Sequence, residues 1–177
     1  EQSGFTIENL ATHFYVYRGV IDFENLVATT DKSEVFVPKF TINGEDWLQY
    51  KRYIDEVPMS GYVVNSRLST DDLGYFAPAV RDWGITITDV DATFEGVVRD
   101  FEGHLDHATL GNESVAQATY HIIGMPEWQT SRYIIGLEHL HATSADIESL
   151  IGSIVKEPLP DKVIDIIRRA EWVDARA

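Results

Sequence analysis

The apolar positions of this chain follow a helical period at the start, alternate in the middle and return to a helical period at the end. Ile7, Leu10, Phe14, Tyr17 and Ile21 are spaced by 3, 4, 3 and 4 residues, which lays them on one face of a helix. Thr6 stands where an N-cap belongs, and Gly19 where a helix stops. The β-prone run Phe14-Tyr15-Val16-Tyr17 argues for strand over 13–20, against the helical spacing that is preferred here. A second, short helix over 23–29 follows, capped by Asp22. Val35-Phe36-Val37 reads as a strand ending near Pro38, and Asn43-Gly44 as a turn. Trp47, Tyr50, Ile54 and Val57 form another helical stripe, closed by Pro58. Tyr62-Val63-Val64 is extended, Ser69–Asp72 opens a helix, and Pro78 interrupts it.

Ile85-Thr86-Ile87-Thr88 alternates, and three longer stretches follow over 94–110, 115–125 and 131–142. Gly111-Asn112-Glu113 and Met125-Pro126-Glu127 separate them as turns, so together they predict a β-meander. Phe94, Val98, Phe101, Leu105 and Ala108 also fit a helical period, but Gly96 and Gly103 weaken a helix there. Helix returns after Thr143, which forms a capping-box pattern with Asp146. Ile147, Leu150, Ile151 and Ile154 give its apolar face; 156–160 is a stiff Pro-containing link; Val163, Ile166, Ile167, Ala170 and Val173 mark the last helix. The predicted fold is α+β: N-terminal helices packed on a curved, mostly antiparallel sheet, in a single domain 1–177 with a C-terminal helical extension over 144–177.

Composition removes several chemistries. The absence of cysteine excludes disulfides, thiolate metal sites and cysteine nucleophiles. A net charge of −15, from 29 acids against 14 bases, has the wrong sign for nucleic-acid phosphates or an anionic membrane surface. No run approaches the ~18 apolar residues that span a bilayer. A soluble chain is expected, with the cytoplasm favoured and with neither nucleic acid nor membrane as partner. From Asp82 to Asp106 there are seven acids and one base, Arg99. That concentration is the basis of one function class, a non-catalytic acidic interaction domain that binds a basic protein.

Residues 6–57 also carry a family pattern. An N-terminal helix is followed by Asp22-Phe23-Glu24-Asn25-Leu26-Val27, by Val35-Phe36-Val37-Pro38, and by Gly44-Glu45-Asp46-Trp47 opening a second helix. This order resembles the start of SnoaL-like domains of the NTF2-like superfamily. The resemblance implies a cone-shaped fold around a pocket, in a family whose members include dehydratases, isomerases, epoxide hydrolases, cyclases and non-catalytic binders. It covers about a third of the chain and carries no catalytic residue over to it.

The histidines supply the candidate chemistry. Five of the six, His104, His107, His121, His139 and His141, fall within the meander. On a regular strand His139 and His141 share a face with Tyr133, Ile135 and Leu137, which places imidazole at the polar end of an apolar-lined pocket. His139 or His141 would shuttle the proton, with Asp100 or Tyr120 as partner; Tyr133, Ile135, Leu137, His104 and His121 would line the ligand site. The competing reading is a surface pair at a strand end. Asp100, His104 and His107 have metal-compatible spacing only on a helix, and no complete ligand set is visible. The second function class is thus a pocket for an apolar or aromatic small molecule, in a cofactor-independent acid–base enzyme of lyase, isomerase or cyclase type or in a pure binder, with no metal, no cofactor and an optional homodimer.

Overall fold

A computed structural model describes residues 5–155 and 160–176, Phe76, Trp128 and Glu171 excepted. Its nine strands form one antiparallel sheet in strict chain order: β1 (Asn9–Tyr17), β2 (Val20–Thr29), β3 (Glu34–Asn43), β4 (Met59–Ser69), β5 (Thr86–Val97), β6 (Asp100–Leu110), β7 (Ser114–Ile123), β8 (Arg132–Thr143) and β9 (Trp172–Arg176). Helices are short and sit at the sheet's ends: α1 (Tyr53–Glu56), α2 (Thr70–Leu73), α3 (Ser144–Ile154) and α4 (Asp161–Ala170).

This overturns the α+β prediction. Residues 6–21 and 23–29, expected as helices, are β1 and β2, joined at Arg18-Gly19 with φ of 44° and 83°. The glycine is a hairpin turn and not a helix stop. The stretch that suggested an NTF2-like start therefore forms three strands, followed by a helical segment of only eight residues over 49–56. The meander over 85–142 is present, but the 94–110 stretch is split by a turn at Val98-Arg99 into β5 and β6. The C-terminal helices are present, and Thr143 Oγ1 accepts the Asp146 amide as its N-cap. The last helix stops at Ala170, and Val173 belongs to β9. The link over 156–159 lies outside the described residues.

Cross-strand partners point to the same side of a sheet, so the register defines two faces. One row on the first face reads Phe14, Phe23, Phe40, Gly61, Phe94, Gly103, Tyr120 and Ile135, from β1 to β8. The next row on that face is Val16, Ile21, Ile42, Met59, Gly96, Phe101, Ile122 and Tyr133. A third, Val63, Ala92, Leu105, Ala118 and Leu137, crosses β4 to β8. The opposite face carries Glu24, Lys39, Tyr62, Thr93, His104, Thr119 and Gly136 in one row, and Asp22, Thr41, Ser60, Glu95, Glu102, His121 and Ile134 in the next. One face is apolar and the other largely polar, the pattern of an antiparallel sheet wetted on one side.

Register shifts then cross the sheet in a line through β4, β5, β6 and β8. Asn65 and Asp89 take φ of 44° and 51° in this line, a conformation that Asn and Asp tolerate better than other side chains. Beyond the line the apolar face continues with Ala108, Ala116 and Leu140. The packed core lies at or beyond it: Val37, Ser66, Ile85, Val90, Ala108, Ala116, Ala118, Ala142 and Asp146 are all buried. Asp146 is 2% exposed and accepts the amides of Asn112, Glu113 and Ser114 and the Ser114 hydroxyl, at 2.8–2.9 Å. It ties α3 to the β6–β7 turn. At the opposite end Val57, 2% exposed, packs behind α1, and Arg99 pairs with Asp55 and with Glu127 at 2.8 Å.

Candidate functional site

The large apolar side chains are not where a core would put them. Among the described residues the fully buried side chains of greatest volume are Val57, Ser66 and Ser114. No Phe, Leu, Met or Tyr among the described residues is in the buried class. Phe, Leu and Ile are ordinarily among the most buried residue types. Here Phe23, Phe40, Phe94 and Phe101 lie on the open half of the apolar face, partly exposed in β2, β3, β5 and β6, and Phe14 beside them is 63% exposed.

The aromatic row is nevertheless ordered. Phe14 and Phe23 have ring centroids 6.2 Å apart, Phe23 and Phe40 stack at 5.3 Å with planes 16° apart, and Phe40 meets Phe94 at 5.7 Å. The last contact spans two strands because β4 contributes glycine between them. A Cβ on Gly61 would lie 2.6 Å from the Phe94 ring. Gly103 plays the same part for Tyr120: a Cβ there would lie 2.6 Å from the phenol oxygen, which instead reaches the Thr93 carbonyl at 2.8 Å. Aromatic rings laid over cross-strand glycines make a smooth apolar strip. At ~4.8 Å per strand, eight strands give it a length of about 34 Å.

The other face carries an open groove of about 950 Å³, lined by Lys39, Thr41, Tyr62, Glu95, Glu102, His104, Thr119 and His121 among others. Within it His121 Nε2 lies 2.6 Å from Asp100, and His104 lies 3.8 Å from Glu138. These histidine–carboxylate contacts belong to the wet face.

The residues singled out in the sequence divide between the two faces. Tyr133, Ile135, Leu137 and Tyr120 are on the apolar face, as their alternation implies. His104, His121 and Asp100 are on the polar face. His139 and His141 do not share the face of Leu137. A bulge at Glu138 sets Leu137 opposite Ala118 but His139 opposite Gln117, so the alternation slips by one and both imidazoles move to the polar side. Their partners Gln117 and Val115 are four and six residues from His121 along β7, about 13 and 20 Å at strand rise. The structure therefore brings Asp100 to His121, but neither Asp100 nor Tyr120 to His139 or His141. Burial pushes the Tyr120 phenol up to about 12, with the Asp106 charge adding to it, so it is a hydrogen-bond donor and not a base near neutrality.

Among the described residues, no group of three or more His, Asp or Glu is arranged to hold a metal ion. Of the acids of 82–106, Glu95, Asp100 and Glu102 lie together on the polar face beside His121, whereas Asp91 accepts the Asn65 amide at the line of register shifts. Among the described residues, no helix is long and apolar enough to cross a membrane. No family model, no characterised protein and no solved structure matches the chain. What sequence reading missed is the aromatic row of Phe14, Phe23, Phe40 and Phe94. Its members lie far apart in the chain, and only the register aligns them.

Proposed function

We propose that the open half of the apolar face binds an extended apolar ligand, a hydrocarbon chain or a linear array of flat rings, laid across the strands along the aromatic row. The observation that carries this is the reversal of the usual size order, with Ala, Ser and Val buried and the Phe row only partly covered. Contiguous apolar patches beyond a few hundred Å² mark interaction sites on soluble proteins. The shape favours a long ligand over a compact one, since the strip is about 34 Å long at ~4.8 Å per strand and nothing among the described residues closes it into a chamber. Binding here needs no imidazole, and the polar-face histidines serve solvation and carboxylate contacts.

The test is a titration with a fluorescent polyene fatty acid. Phe40→Asp and Phe94→Asp each place a charge in the strip and weaken binding by more than about tenfold, the consequence of leaving a carboxylate unpaired under hydrocarbon. Thr93→Asp, on the opposite face, leaves binding within about twofold, since its charge stays in solvent. Equal losses from all three, with folded spectra retained, would refute the assignment to this face.

A further inference from the structure

Strand β1 has few of the features that usually protect a sheet edge, a register shift against β2 between Ala11 and His13 being one. It runs for nine residues, Asn-Leu-Ala-Thr-His-Phe-Tyr-Val-Tyr, without Lys, Arg or Pro, and eight of the nine are exposed. Natural sheets blunt such edges with short strands, lysine, proline or covering elements. On the far side of the sheet β9 pairs only with residues 139–143 of β8, so residues 132–138 form the outer strand there. In that stretch Ile134 is 46% exposed and Ile135 72%.

The two outer strands are the two ends of the same rows. Phe14 and Ile135 end one apolar row, and Tyr15 and Ile134 end the polar row beside it. In a sheet of strictly alternating strands, β8 of one molecule set beside β1 of another is antiparallel. A single register, with Ile135 opposite Phe14, then places Ile134 opposite Tyr15 and Arg132 opposite Tyr17. Apolar stays with apolar on one face, and the outward backbone groups of residues 11–17 and 132–138 gain partners. A shift by one residue would turn every side chain to the wrong face.

We propose that β1 and the 132–138 half of β8 are docking edges for a second copy of this chain, joined head to tail by antiparallel strand pairing, so that the sheet and its apolar face run on from one copy to the next. The contact is heterologous, and therefore builds an open chain or a closed ring and not a two-fold pair. It does not depend on the ligand reading, because its decisive side chains, Tyr15 and Ile134, lie on the polar-side rows.

Sedimentation velocity between about 1 and 100 µM, a range suited to weak self-association, tests it. The wild-type chain shows a weight-average sedimentation coefficient that rises with concentration. Tyr15→Lys and Ile134→Glu each weaken association by roughly tenfold, the combined effect of an edge charge and a lost cross-strand apolar pair. An equimolar mixture of the two variants recovers it as a dimer, because the unaltered Ile134 edge of Tyr15→Lys meets the unaltered Tyr15 edge of Ile134→Glu. Thermal melting shows whether each variant is folded. A wild-type chain that stays monomeric throughout overturns the proposal. So does association that Tyr15→Lys abolishes but Ile134→Glu leaves unchanged, which would indicate a two-fold β1–β1 contact. Association indifferent to both variants overturns it too and points to face-to-face packing.

Discussion

Replacing Asp146 by Asn tests how the packed end of the sheet is held. Its carboxylate is 2% exposed and accepts four hydrogen bonds, one at Oδ1 from Asn112 and three at Oδ2 from Glu113 and Ser114. Asparagine keeps one acceptor oxygen but presents an NH₂ where the other carboxylate oxygen was. Whichever way the amide is turned, at least one backbone N–H then faces a donor. Hydrogen bonds to a charged group are worth roughly 1.5–3 kcal/mol each, and an orphaned buried donor costs a further ~1–3 kcal/mol. Allowing for relaxation, Asp146→Asn should lose about 3 kcal/mol. For a chain of this size that is a fall of roughly 6–12 °C in Tm, at ~2–4 °C per kcal/mol. The pH dependence supplies a second readout. Burial alone would raise the Asp146 carboxyl, but the hydrogen bonds from Asn112, Glu113 and Ser114 outweigh it and hold the group far below the usual carboxylate range. A group depressed in the folded state stabilises fully above its unfolded value near ~3.9, and loses that contribution as pH falls toward the folded value. The wild-type advantage over Asp146→Asn should thus be constant from pH 7 to about 5 and shrink below ~3.9. A variant melting within about 2 °C of wild type at pH 7, less than 1 kcal/mol on the same scale, would refute the argument that this cage holds α3 to the β6–β7 turn.

Four further substitutions have outcomes fixed by the same structure. Gly103→Ala should cost about 2 kcal/mol in chemical denaturation, since the new methyl collides with the Thr93 carbonyl and the Tyr120 hydroxyl. Tyr120→Phe should cost about 1 kcal/mol at pH 7 through its lost hydrogen bond. Because the folded phenol is raised to about 12, its contribution is complete below the unfolded value near ~10 and is lost between there and the folded value, so melts at rising alkaline pH should bring variant and wild type together. Phe40→Ala should cost only about 1 kcal/mol, well below the ~3–5 kcal/mol of a buried phenylalanine. Val57→Ala, though it removes fewer atoms, should cost about 2 kcal/mol, because Val57 is fully enclosed.

Local signals in the sequence were enough for the second half of the fold. Alternation, the Gly111-Asn112-Glu113 turn and the Thr143–Asp146 cap lie within short windows, and β7, β8 and α3 follow from them. The first half misled for a physical reason. On edge strand β1 both sides carry apolar residues, since Tyr15 and Tyr17 are exposed on one side and Leu10, Phe14 and Val16 on the other. An apolar residue at nearly every position can be sampled at a spacing of 3 and 4, and so imitates a helix. The histidine site failed on a single residue: Glu138 is inserted as a bulge, and no alternation rule reveals a bulge from within one strand. Tyr133, Ile135 and Leu137 were legible as an apolar side of β8. Their partners in β2, β3 and β5 were not, because they depend on pairing between strands that are far apart in the chain.

The central claim, that the partly covered Phe row is a ligand surface, is tested most directly by photo-crosslinking. A fatty acid with a diazirine on its chain is bound, irradiated, and located by peptide mass spectrometry. The account predicts adducts on Phe23, Phe40, Phe94 and Phe101 or their immediate neighbours on the apolar face, competed away by unlabelled fatty acid. Adducts confined to the polar-face groove around His104 and His121, or adducts that excess fatty acid does not displace, would contradict it.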